Sequence, residues 1–201
     1  MGLTRKEQAA RSRQKLLDAA CELIRKNGYD ATSISDITQA CGMSPGNFYN
    51  YFKSKEDLIL AIEREPYDSF FDELEKISDQ ATINQLCNYI KYYVDIAVNK
   101  FGVGYNRQWY AQHMRPREDL EKPTKLEITI NECRQILTHG VQSGELAHNT
   151  PVEDLSEYIA FELHGMNICH IMSEGTFDAM AWTDKYCAYV ENVMLKPYFV
   201  H

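Results

Sequence analysis

The chain has 201 residues, 44% of them hydrophobic, enough to bury a sizeable core in one compact domain with a smaller one beside it. No apolar run approaches the ~18 residues a membrane span needs, and Met1 to Arg13 is polar rather than signal-like, so a cytoplasmic protein without a membrane partner is expected. The net charge of −8 argues at first against a nucleic-acid partner, but its distribution argues the other way.

Residues 1–65 carry 10 Lys+Arg and 9 Asp+Glu, whereas residues 66–201 carry 11 and 20. The first helix is expected from Thr4 or Ala10 to Lys26. Leu16, Leu17, Ala20, Cys21, Leu23 and Ile24 form its apolar stripe, and Asn27-Gly28 closes it. Arg5, Lys6, Arg11 and Arg13 make its start locally positive, either as phosphate contacts or as an ordinary solvated face. The acidic remainder would repel a duplex and so favour one docking orientation.

The next stretch, Thr32 to Leu58, organises the chain. Ser33, Ser44 and Ser54 stand at helix N-cap positions, and Ser33 and Ser54 have an acid three residues on, the capping-box spacing. A second helix is expected over Ser33–Cys41. A turn through Gly42 follows, then a third helix over Pro45–Tyr51 with proline at its first position. Phe48 and Phe52 share a buried face with Ile34 and Ile37. Left outside are Gly46, Asn47, Tyr49, Asn50, Tyr51 and Lys53, a flat, hydrogen-bonding, mildly basic surface suited to phosphates and to base edges in a major groove.

At Gly42-Met43-Ser44 through Tyr49, Phe52, Lys55, Glu56 and Leu58 the chain resembles the TetR family of bacterial transcriptional repressors, with Tyr51 where the family usually has His. The likeness covers about the first third; further on, only Gly144-Glu145-Leu146 and the helical character resemble it. It implies an all-α protein of about nine helices. Residues 1–53 would form a helix-turn-helix DNA-binding domain, and residues 54–201 a ligand-binding and dimerisation domain whose helix 54–78 is the linker. Carried over position by position, it implies base-edge contacts from Ser35, Pro45, Gly46, Asn47 and Asn50. Phosphate contacts would come from Thr32, Tyr49, Tyr51, Lys53 and Lys55.

Beyond Ser54, Leu58, Ile59 and Ile62 form the inner face of a fourth helix. A kink is expected at Pro66, then a polar, acidic stretch with Phe70, Phe71, Leu74 and Ile77 at helical spacing. A helix opens at Thr82 and runs to Phe101, where Gly102-Val103-Gly104 breaks it. A short helix with Trp109, Tyr110, His113 and Met114 follows, ended by Arg115-Pro116. A longer one is expected over Asp119–Gln142, with Pro123 in its first turn. Ser143–Pro151 connects to two closing helices, Val152–Glu174 and Thr176 or Phe177 to Leu195, separated by Gly175. Leu155, Ile159, Leu163, Met166 and Met172 on one, with Met180, Tyr186, Val190, Val193 and Met194 on the other, are more apolar faces than one internal contact needs. The resemblance implies that these two helices pair across a homodimer, which reading a palindrome also requires.

Tyr89, Tyr93, Trp109, Tyr110, His113, Met114, Phe161, His164 and Asn167 combine apolar area with polar tips. On helices that by resemblance surround a cavity, they suit an aromatic or lipophilic effector; taken singly, each also fits ordinary packing. His164 and His170, six apart, form no metal pair. The six cysteines are scattered without a C-x-x-C pair, and no nucleophile elbow, phosphate-cradling loop or H-E-x-x-H supports catalysis. The expectation is therefore no enzyme, no metal and no cofactor. It is a ligand-responsive one-component regulator, a repressor rather than an activator, that holds a double-stranded palindromic operator as a dimer and is released by a small molecule. A cysteine-based redox regulator, with Cys21 and Cys41 approaching each other, and a helical interaction module without DNA affinity stay open as alternatives. Ligand, operator and regulated genes are not encoded legibly.

Overall fold

A computed structural model describes residues 4–59, 61–62, 81–114, 116 and 123–200. Every element among them is helical, apart from an isolated antiparallel bridge between Leu146 and Phe199. Helix α1 (Arg5–Asn27) opens on a capping box in which the Thr4 hydroxyl accepts from the Glu7 N–H and the Glu7 carboxylate accepts from the Thr4 N–H. Gly28 ends it at φ 86°, a left-handed conformation only glycine enters cheaply. Ser33 and Asp36 form the same box at α2 (Ile34–Ala40).

Helix α3 (Pro45–Phe48) is shorter than its sequence suggests. Tyr49 to Tyr51 tighten into turns in which the Asn50 N–H donates to the Asn47 carbonyl and the Tyr51 N–H to that of Phe48. Ser44 makes no side-chain cap, whereas the Ser54 hydroxyl accepts from the Asp57 N–H at 3.2 Å and starts α4, helical over 55–59 and 61–62. The linker to residue 78, the Pro66 kink and the side chains of Phe70, Phe71, Leu74 and Ile77 lie outside the described residues.

Helix α5 (Thr82–Asp95) widens into π turns over Ile96–Phe101, and Gly102, at φ 73°, turns the chain into α6 (Gly102–His113). Gly102-Val103-Gly104 is therefore the start of a helix, not a gap between two, because the wide turns absorb the change of direction. Helix α7 (Lys125–Gln142) begins after Pro123, not around it. Thr124 and Glu127 supply the capping box, and the expected start at Asp119 is outside the described residues. Helices α8 (Val152–Met172) and α9 (Ala179–Tyr189, with π turns over Val190–Leu195) close the chain, joined through Glu174 and Gly175 at positive φ.

Two cores hold these helices. The larger, from α5, α7, α8 and α9, gathers Leu86, Tyr89, Ile90, Val94, Leu137, Ile159 and Leu163, all essentially sealed from solvent. The smaller has Leu16, Leu17, Ile24, Ile37, Phe48, Phe52, Leu58 and Ile62 at its centre. It is completed by Ile96, Phe101 and Tyr105 from the π turns and α6. The α1–α4 unit thus seats its core partly on residues about a hundred positions from the chain start.

Where α7 crosses α5, a Cβ built on Gly140 would lie 2.5 Å from Thr82 Oγ1 and 2.7 Å from its Cγ2. Gly140→Ala is therefore expected to lower the unfolding free energy by about 1–3 kcal/mol, as overpacking does. A chemical-denaturation midpoint unchanged from the parent would refute this close approach.

Candidate DNA-reading face and effector crevice

The helix-turn-helix surface divides its residues by burial. Phe48 is sealed beneath α3 and stacks edge-on against Tyr49, whose ring stays 61% exposed. Ser35, Pro45, Gly46, Asn50 and Lys53 are exposed, and Asn47 and Tyr51 are half-buried. Asn50 Nδ2 donates to Asn47 Oδ1 at 2.9 Å, so the two amides are presented together. A Cβ added to Gly46 would meet nothing of the chain within 4 Å. Nothing inside the molecule demands glycine there.

Two residues assigned to phosphates by resemblance are turned inward. Thr32 is 1% exposed, and its hydroxyl donates to the Gly28 carbonyl. The Lys55 ammonium donates to the carbonyls of Tyr29 and Thr32 at 2.8 and 3.0 Å and lies 3.8 Å from the Tyr29 ring centre. Beside it the Tyr29 hydroxyl donates to Glu56. Hydrogen bonds from Ser54, from the backbone and from Tyr29 hold the Glu56 carboxyl below its usual range. The first turn of α4 is thereby clamped to the α1–α2 loop.

Among the basic residues of α1, Arg5, Lys6, Arg11 and Lys15 are exposed, while the Arg13 guanidinium sits 5.1 Å over the Phe52 ring. Cys21 and Cys41 do not face each other: their thiols donate to the carbonyls of Lys100 and Lys15. Burial raises both thiol pKa values, the opposite of an activated thiolate.

In the second half a crevice of about 400 Å³, its open mouth included, lies between α5, α6, α7 and α8. Of the nine residues expected to line it, Tyr93, Trp109, Tyr110, His164 and Asn167 do. The other four lie elsewhere. Tyr89 is sealed in the larger core, its hydroxyl donating to buried Glu132 at 2.5 Å. Exposed His113 stacks on the outer side of Trp109, and Met114 and Phe161 are 70% and 47% exposed.

The sequence reading missed Ala97, Phe101, Tyr105, Asn106 and Lys125, which complete the lining. They come from the π turns, the first turns of α6 and the start of α7. These segments read as punctuation in the sequence, and only the aromatic spacing of Phe101, Tyr105 and Trp109 signals a common face.

Electrostatics at the crevice are set by burial. It drives the His164 imidazole down to about 4, helped by the Lys125 charge, and pushes the Tyr110 phenol up to about 12. Both are therefore neutral at pH 7. Burial raises Glu132 as well, against the pull of Lys125 and Tyr89. Among the described residues no cluster of His, Cys, Asp or Glu could hold a metal ion, and no helix is long and apolar enough to cross a membrane.

With this geometry in view, comparison with known proteins is decisive. Residues 16–62 match the family model described as bacterial regulatory proteins, tetR family. Over that stretch the chain is similar to the TetR family of transcriptional regulators. The matched residues run from the first buried leucine of α1 to Ile62 of α4, the unit just described. The chain is 27% identical over 172 residues to the fatty acid metabolism regulator protein of Bacillus subtilis, covering 83% of the chain and 87% of that relative. Its fold resembles the solved structure of FadR from B. subtilis in complex with stearoyl-CoA, with TM-score 0.66, 22% identity, and 89% and 97% of the two chains covered. A TetR-family regulator from Pectobacterium atrosepticum aligns over 99% of both chains with TM-score 0.66 and 19% identity.

Two outcomes follow from the clamp and the crevice. Lys55→Met removes two charge-assisted hydrogen bonds and is expected to lower stability by roughly 1–3 kcal/mol, seen as an earlier denaturation midpoint. The His164 ring has a lower pKa folded than its ordinary 6.5, so between those values the unfolded chain binds more protons. Its contribution is full above pH 6.5 and is lost as pH falls toward 4, up to roughly 3 kcal/mol. Denaturation at pH 7 and pH 4.5 is expected to show a smaller loss for His164→Gln than for the parent; equal losses would refute the assignment.

Proposed function

We propose that this regulator is a homodimeric repressor that grips a palindromic operator through α3 and its following turn and lets go when a lipophilic effector fills the crevice. The observation that carries the reading is the amphipathic split of Pro45–Lys53. Phe48 and Phe52 are buried while Tyr49, Asn50 and Lys53 are exposed and Asn47 is half-buried beside them, a polar surface with no partner element among the described residues. Base-edge contacts are assigned to Ser35, Pro45, Gly46, Asn47 and Asn50, and phosphate contacts to Tyr49, Tyr51 and Lys53, with Arg5, Lys6 and Arg11 along the backbone. Thr32 and Lys55 act by holding the α1–α2 loop in place.

The dimer is assigned to α8 and α9, whose outer faces expose Tyr158, Phe161, Met172, Met180, Tyr189 and Val193 between 43% and 78%. Apolar area of that kind is removed from water by a symmetry mate. The apolar, aromatic crevice suits a lipophilic effector, in keeping with a relative named for fatty acid metabolism and a fold neighbour holding stearoyl-CoA. Release is assigned to the shared wall: Phe101 and Tyr105 line the crevice and also belong to the core beneath α1 and α4. An effector that binds the two crevice widths with different affinity shifts the reading heads by that difference, typically about 1–3 kcal/mol.

The test is selection of duplexes from a random pool by the full-length protein, then titration of the winning site in rising salt. Asn47→Ala is expected to cost about 1–3 kcal/mol on that site and to blur its sequence preference, whereas Lys53→Ala weakens all duplexes alike and lowers the salt slope by about 1. Gly46→Ala leaves the denaturation midpoint at or slightly above the parent and still lowers affinity. Failure to enrich any palindrome, with binding insensitive to salt, would leave the interaction-module reading instead.

A further inference from the structure

The crevice has one polar end, and its hydrogen bonds are not closed. Asn106 Nδ2 donates to the carbonyls of Ala97 and Gly102 at 2.7 and 2.8 Å, which fixes its Oδ1 as an acceptor. That oxygen accepts from Asn167 Nδ2 at 3.2 Å. The chain of bonds leaves Asn167, a lining residue only 5% exposed, with its Oδ1 a buried acceptor without a partner among the described residues. A second buried atom without a partner is His164 Nε2.

The Tyr110 hydroxyl lies 3.0 Å from His164 Nδ1 and 3.5 Å from the His164 carbonyl. Assigning its single hydrogen to the nearer atom places the ring hydrogen on Nε2, a donor, while Asn167 and Tyr93 also lie within hydrogen-bonding reach of the phenol. His164 and Asn167 are three apart on α8, so donor and acceptor stand side by side on one face. Leaving such atoms buried and unpaired costs stability, which a complementary ligand recovers.

We infer that the effector carries at its polar end an uncharged donor–acceptor pair of the carboxamide or lactam kind. Its N–H goes to Asn167 Oδ1, and its carbonyl accepts from His164 Nε2. The inference rests on the effector crevice proposed above and names the chemistry of its polar end. A carboxylate brings no hydrogen to Asn167 and meets a neutral imidazole, although Lys125 on the opposite helix supplies one positive charge to the lining. An ester satisfies His164 alone. The aromatic remainder, with Tyr93, Phe101 and Trp109, takes the apolar body.

The experiment uses full-length protein carrying Trp182→Phe, so that Trp109 is the sole indole of the two in the chain. Quenching is titrated with decanamide, sodium decanoate and methyl decanoate. Decanamide is expected to bind about tenfold tighter than the ester, the size of one neutral hydrogen bond, and Asn167→Leu is expected to erase that preference. His164→Phe is the second variant. It weakens amide and ester together and keeps their ratio. Equal binding of the three probes, or a ratio unmoved by Asn167→Leu, overturns the donor–acceptor assignment and leaves the crevice reading standing. Tightest binding of decanoate overturns it in favour of an anion held by Lys125. No quenching by any probe overturns the effector crevice and this inference with it.

Discussion

The contact on which the rest of this molecule turns is the stack of Phe101 on Tyr105, ring centres 4.4 Å apart and nearly parallel, set beneath α1 and α4. The α1–α4 unit is too small to bury an adequate core alone, and Ile96, Phe101 and Tyr105 supply the missing apolar surface. Those rings also form part of the effector crevice. A domain that borrows its core from its neighbour cannot tilt independently of it. Any change in the width of the crevice displaces side chains that the reading head rests on, because packed cores shift between discrete arrangements rather than deforming smoothly.

The wide π turns over Ile96–Phe101 make this geometry possible. One continuous helix from Thr82 to His113 would keep α5 and α6 coaxial. The wide turns and the left-handed Gly102 instead redirect α6, and Phe101, Tyr105 and Trp109 line one crevice. Asn106 then stabilises the bend through two backbone carbonyls. The same bend that aims the aromatic residues at α1 also sets the amide chain at the crevice's polar end.

Elsewhere many polar groups are closed within the chain, although Thr82 Oγ1 and the Tyr186 hydroxyl are also buried without a partner among the described residues. Thr4, Ser33 and Thr124 form complete capping boxes, Lys55 satisfies two carbonyls of the loop it crosses, and Tyr89 pairs with Glu132 inside the larger core. Against that background the open atoms of His164 and Asn167 are informative: they lie together, in the crevice, on one side of α8. Burial keeps His164 neutral, so on that side the crevice presents hydrogen-bonding atoms without a charge.

The all-helical class, the boundaries of α1 and α2 and the buried set beneath the reading helix were all written in the sequence. Each depends on signals within a few residues: a serine with an acid three positions on, a glycine after a periodic run, apolar residues three and four apart. Of the apolar residues that read as surplus on the last two helices, Leu155, Ile159, Leu163, Met166, Tyr186 and Val190 fill the larger core and only Met172, Met180 and Val193 stay exposed, because periodicity marks an apolar stripe and not what covers it. The crevice is half legible: Tyr93, Trp109, Tyr110, His164 and Asn167 stand out once the family resemblance sets their helices around a cavity, whereas Phe101, Tyr105, Asn106 and Lys125 do not. Tyr89 was assigned to it although its hydroxyl is spent on Glu132. Lys55 and Thr32 looked like phosphate contacts until the fold turned them onto carbonyls of the α1–α2 loop. Local pattern decides which residues form a helix and which stripe is apolar. Only tertiary packing decides whether a polar tip meets a partner in its own chain or is left open for another molecule, because that partner comes from a distant segment.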